Sequence, residues 1–122
     1  MARLTLQIGL ILLALSVALG AFGAHGLESM VTEKRIETWN TAVRYQAWMS
    51  LLLVIFGAAR LQCARFVIPL IGLGILIFSG SLYALVLFDL GALGAITPIG
   101  GVLIIVGLVS AAWTVRMHPP SA

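Results

Sequence analysis

The chain has 122 residues, of which 61% are apolar and 9% charged, and its mean hydropathy is +1.15. Soluble domains average about 25% charged residues, and so small a fold leaves a large share of its surface exposed, so water cannot be the only solvent for this much apolar area. The net charge of +3 comes from seven cations and four carboxylates without a basic run, which excludes a nucleic-acid binder, and the single Cys63 excludes an internal disulfide or a Cys-rich metal site.

A hydrocarbon core about 30 Å thick needs about 20 helical residues to cross it. Four segments qualify. The first runs from about Leu4 to Gly23 and carries no charge. It is longer than the roughly 7–15 residues of a signal-peptide core, and further spans follow, so it reads as a retained helix. Gly9, Ser16, Gly20 and Gly23 step by seven, four and three, which places them on one face where a second helix can approach closely.

The polar stretch from Glu28 to Arg44 comes next. Ile36, Trp39 and Val43 are spaced by three and four, and Glu33, Glu37, Asn40 and Arg44 fall away from them. This pattern predicts an amphipathic interfacial helix over about 32–42, capped by Thr32, with Trp39 at the headgroup level. It bends into, or continues as, a second span over about 43–59, which Tyr45 and Trp48 belt at its entrance and Arg60 closes. The loop that follows is short, so the next helix must be antiparallel. In that loop Cys63 reads as a small spacer between Arg60 and Arg65.

The third span covers about 66–88, with Pro69 in its first turn. Gly72, Leu76, Gly80 and Ala84 form a row of i+4 steps that reads as a packing face, and Ser79 and Ser81 flank Gly80. Asp89 ends the span. After an apolar connection, Thr97-Pro98 reads as an N-cap and first helical position for a fourth span over about 98–115, with Gly101 on its packing face. Arg116 and a tail containing His118 follow.

The expected fold is an all-α membrane protein, a single domain over 1–122 with four transmembrane helices in an antiparallel bundle. Four spans put Arg3, Arg60, Arg65 and Arg116 on one side and Lys34, Arg35 and Arg44 on the other, so the cation bias places both termini in the cytoplasm.

Polar groups that lipid cannot satisfy are the candidates for function. His25, Arg44, Tyr45, Gln46, Ser50, Ser79, Ser81, Tyr83, Asp89 and Thr97 make up that set, and several lie toward the non-cytoplasmic helix ends, where topology predicts a polar pocket. His25 could hold a ligand or cap its helix, and Arg44 could pair with Asp89 or snorkel. There is no Ser-His-Asp set and no nucleophile elbow, so no enzyme is expected. His25 and His118 cannot supply the three or four ligands of a metal site, and haem ligation by His25 and Met49 would rest on residue type alone, so neither metal nor cofactor is expected. A proton-coupled antiporter would need a carboxylate within the membrane, and the cores of the first two spans hold none.

Four strings then come in order: Gly20 to Leu27 (GAFGAHGL), Trp39 to Gln46 (WNTAVRYQ), Phe78 to Tyr83 (FSGSLY) and Gly94 to Gly101 (GAITPIGG). Together they resemble the YgdD/YwdK-like family of small bacterial inner-membrane proteins of unknown function, to which eukaryotic transmembrane protein 256 is similar. The likeness covers about Leu4 to Val115. It implies a four-span fold in the bacterial inner membrane, and it adds Trp39 and Thr41 to His25, Tyr45, Gln46, Ser79, Tyr83 and Thr97 as residues to test. The sequence departs from the family at Met49, where the pattern usually carries a histidine. A chain rich in small-residue faces and poor in catalytic groups is expected to be an accessory or interaction subunit of a larger membrane complex, with lipid, other membrane subunits or itself as partners. The alternative is an oligomeric transport or small-molecule binding protein acting through the polar pocket.

Overall fold

The computed structural model describes residues 2–117, so His118 lies outside the described residues. Within them the chain forms helices α1 (Ala2–Phe22), α2 (Glu33–Ala58), α3 (Val67–Phe88) and α4 (Thr97–Thr114). A π turn, Gly23–Leu27, extends α1, and a 3₁₀ turn, Gly91–Ala95, precedes α4. In hydrocarbon the backbone must satisfy its own hydrogen bonds, and helices do so within one segment. All four helices are long and apolar enough to cross a membrane.

The second helix is one unbroken element of 26 residues, about 39 Å at 1.5 Å per residue. Residues 32–42 are therefore its cap and first turns, and no separate interfacial helix forms. No glycine or proline interrupts Glu33 to Phe56, so nothing stops the helix at the membrane surface. Its start is the expected one: Thr32 Oγ1 accepts a hydrogen bond from the Arg35 amide at 3.3 Å. Trp39 is 1% exposed, because its ring turns inward against α1 and α3.

Successive helices pack on one another: α1 on α2, α2 on α3, and α3 on α4. Small residues set the spacing. A Cβ on Gly9 would lie 2.8 Å from the Val54 amide nitrogen, and one on Gly57 would lie 2.5 Å from that of Leu6, so α1 and α2 touch backbone to backbone. Gly20 faces Val43, and Gly23 faces the Trp39 ring, where a Cβ would lie 2.5 Å from the indole. Ser16 is buried on the same stripe and donates to the Leu13 carbonyl of its own helix.

Between α3 and α4 the close approach uses residues the i+4 row did not indicate. Gly74 meets Ile104 and the Gly100 carbonyl, Gly100 meets the Phe78 backbone, and Gly107 meets Ile71. A Cβ on Gly72 or Gly80 would have no neighbour within 4 Å, and Leu76 is 62% exposed, so that row faces outward. Gly101 makes only ordinary contact with the Phe78 ring. Because these helices are apolar all round, periodicity alone does not distinguish the lipid face from the packed one.

Two apolar clusters stack along the helices. Leu27, Trp39, Ala42, Leu82, Leu85 and Val86 form one, near the start of α2. Leu53, Phe56, Val67, Ile71, Ile75 and Ala111 form the other, near its end. Met49 is partly buried against the second cluster, so the thioether at the position of the family's histidine fills an apolar gap.

Thr97 is not an N-cap. The 3₁₀ turn leads directly into α4, Ile96 occupies the cap position without a side-chain bond, and Thr97 is the first helical residue, followed by Pro98. The Thr97 hydroxyl is buried and lies 2.6 Å from that of Ser81, which joins α4 to α3.

Candidate functional site

The buried polar side chains come together between the two apolar clusters. Gln46 lies 13 residues into α2, about 20 Å along it, and so is deep in the span rather than at its end. Its Nε2 donates to the Leu12 carbonyl of α1 at 2.8 Å. Its Oε1 accepts from the Tyr83 hydroxyl of α3 at 2.6 Å. One side chain on the central helix therefore clamps both neighbours.

Two further bonds join the same helices. Ser79 Oγ donates to the Ala42 carbonyl at 2.8 Å, linking α3 to α2. Trp39 Nε1 donates to the Leu19 carbonyl at 2.8 Å, linking α2 to α1. Ser50 donates back to the Gln46 carbonyl of its own helix. The Trp39 and Tyr83 rings meet at a centroid distance of 4.7 Å, and Phe22 packs edge-on to Trp39 at 5.7 Å. Among the described residues no buried side-chain nitrogen or oxygen lacks a hydrogen-bond partner. In a low-dielectric interior this matters, since an unpaired polar group there costs about 1–3 kcal/mol.

The structure thus unites Trp39, Gln46, Ser79 and Tyr83, with Ser81 and Thr97 as a second pair. The remaining candidates lie apart from them. His25 is exposed, because the π turn that buries Leu27 turns the imidazole outward. Thr41 donates to the Glu37 carbonyl within α2. Arg44 is exposed, and Tyr45 and Trp48 stack edge-on at 5.1 Å on the outer surface.

Asp89 pairs with Arg35, not Arg44. The contact is 3.1 Å, with the carboxylate side chain 85% exposed and the guanidinium 28%. Asp89 adopts a left-handed conformation (φ 53°) as the C-cap of α3, which turns its side chain toward the first turn of α2. Exposed pairs of this kind contribute about 0–1 kcal/mol. Arg35→Gln or Asp89→Asn should therefore lower unfolding stability in micelles by under about 1 kcal/mol, less in high salt. A loss above about 2 kcal/mol would contradict this reading.

At the opposite end, the loop between α2 and α3 meets the residues after α4. Gln62 and Arg116 form an antiparallel bridge, with N···O distances of 2.9 and 2.6 Å, and the Ala64 amide donates to Thr114 Oγ1 at 2.9 Å. Sequence reasoning missed this link, for which a short loop offers no signal. Burial pushes the Cys63 thiol up from its ordinary pKa, away from the reactive thiolate, which fits a spacer.

Comparison with known proteins agrees with this architecture. Residues 19–101 match the family described as "Protein of unknown function (DUF423)". The chain is 43% identical over 111 residues to the UPF0382 membrane protein SH2409 of Staphylococcus haemolyticus, covering 86% of this chain and 88% of that one. It is 43% identical over 104 residues to the UPF0382 membrane protein YwdK of Bacillus subtilis, covering 81% and 85% of the two chains. No solved structure matches significantly. The chain belongs to the DUF423 family of membrane proteins, in agreement with the YwdK-like resemblance of its motifs.

Proposed function

We propose that the chain is an accessory or interaction subunit of a larger assembly in a bacterial inner membrane, with both termini in the cytoplasm. One observation carries this reading. On α1, Gln7, Ile11, Ala14, Ala18, Ala21 and His25 recur at steps of four and three, and all six are exposed. This is the spacing of a helix–helix seam, with small residues at its centre. Its Gln7 amide makes no hydrogen bond with any described residue. The seam is on the face of α1 opposite the Gly9–Ser16–Gly23 stripe that packs on α2. A partner helix with small residues and a polar group opposite Gln7 would fit it.

The inner polar layer favours this reading over a solute-binding one. Gln46, Ser79, Tyr83 and Trp39 bond to their own neighbouring helices, so their contribution is to hold the chain's shape.

The test is gentle detergent extraction of a tagged chain, followed by identification of what remains bound. A larger membrane protein should co-purify with the wild type and be lost from Ala18→Trp. The variant's own melting temperature should be unchanged, since position 18 faces outward. Recovery of the wild type only as a free monomer or homo-oligomer would overturn the proposal. A C-terminal reporter active only outside the inner membrane would overturn the orientation.

A further inference from the structure

The Arg-rich end of the molecule contains a groove of about 720 Å³ that neither the polar layer nor the α1 seam uses. Leu4 and Ile8 of α1 form one wall and Ile68 and Gly72 of α3 the other, with Phe56 of α2 between them. The wall opens toward lipid, since Leu4 and Ile8 are 51% and 41% exposed. It has the shape and apolarity for a hydrocarbon chain.

Its rim has the opposite chemistry. Arg60, Arg65 and Arg116 border the groove, and none forms an ion pair with a described residue. No carboxylate side chain among the described residues lies near, because Glu28, Glu33, Glu37 and Asp89 all belong to the other end of the helices, about 33 Å away along α3. The rim is also fixed in place. The Gln62–Arg116 bridge and the Ala64–Thr114 bond bring Arg116 to the loop carrying Arg60 and Arg65, and Arg60 is set in a left-handed turn (φ 52°). A bias of cations toward one membrane side would not by itself require this tie.

From this arrangement we infer that the groove is a binding site for an anionic phospholipid, the phosphate headgroup held by Arg60, Arg65 and Arg116 and an acyl chain lying against Leu4, Ile8, Phe56 and Ile68. Guanidinium groups suit this role because their planar donor fork matches phosphate oxygens. The site joins charge complementarity at the mouth to apolar complementarity in the wall, so it discriminates lipid from free phosphate as well as anionic from zwitterionic lipid.

The test is native mass spectrometry of the full chain in mild detergent. Phosphatidylglycerol is titrated against phosphatidylcholine with the same acyl chains, and glycerol phosphate serves as the headgroup without a chain. Phosphatidylglycerol should be retained at least about tenfold better than phosphatidylcholine. Glycerol phosphate should not compete. Arg60→Gln/Arg116→Gln should abolish the preference. Gly72→Phe, where the backbone has open space beside it, should weaken phosphatidylglycerol binding with every charge intact. Equal retention of the two lipids by the wild type would overturn the inference without reference to any variant. Competition by glycerol phosphate would reduce the site to a simple anion contact, and full binding by Gly72→Phe would reduce it to surface charge; either result overturns it.

Discussion

Gly57→Ala and Gly100→Ala are each expected to destabilise the protein by about 1–3 kcal/mol or more, by prising one helix hairpin apart. The new methyl group on Gly57 would lie 2.5 Å from the Leu6 amide nitrogen and 2.7 Å from its Cα. The one on Gly100 would meet the Phe78 backbone and the Gly74 carbonyl. Both collisions are with backbone, so no side-chain rotation relieves them and whole helices must move. The first acts between α1 and α2, the second between α3 and α4. Gly80→Ala is the control: its methyl group would enter open space, and alanine's higher helix propensity should stabilise by up to about 1 kcal/mol. Unfolding in mixed micelles measures all three. Equal effects of Gly80→Ala and Gly57→Ala would show that the glycine faces are assigned wrongly.

Trp39→Ala is expected to cost about 3–5 kcal/mol, the range for deleting a large buried aromatic side chain. The ring is 1% exposed, touches Phe22 and Tyr83, and closes the cluster that joins α1, α2 and α3. Trp39→Phe keeps most of the burial and removes the bond to the Leu19 carbonyl, a loss of about 0.6–1.7 kcal/mol on the scale of measured membrane hydrogen bonds. Trp48→Ala should do little, because that ring is 51% exposed. If Trp39→Ala and Trp48→Ala shift unfolding equally, the Trp39 cluster does not hold the helices together.

The spans were legible because length and apolarity decide them. The start of α2 was legible because Thr32 and Glu33 are local signals. The packing faces were only half legible. Gly9, Ser16, Gly20 and Gly23 were found because glycine and serine recur at steps of seven, four and three along one face. On α3 two glycine-bearing rows compete, Gly72–Gly80 and Gly74–Phe78, and in a helix apolar on every side nothing local decides between them. Gln46, Ser79, Tyr83 and Thr97 were among the polar candidates, but which of the candidates meet was not legible, because Gln46 to Tyr83 is a contact across 37 residues that depends on the angle between helices. Thr97-Pro98 carried a true helix-start signal at a place where a preceding 3₁₀ turn already supplied the cap.

The bridge between Gln62 and Arg116 also bears on the order of assembly. Thr114 follows Ala64 by 50 residues. At about 5–20 residues per second, the ribosome needs roughly 3–10 s to make that stretch. During that interval the hairpin of α1 and α2 can already have closed across Gly9 and Gly57, while the loop at 61–65 waits for its second strand. The arginine rim is therefore completed only after the fourth helix is in place. A nascent chain stalled within α4 would have its first three spans but not the rim, which makes headgroup retention a readout of complete insertion.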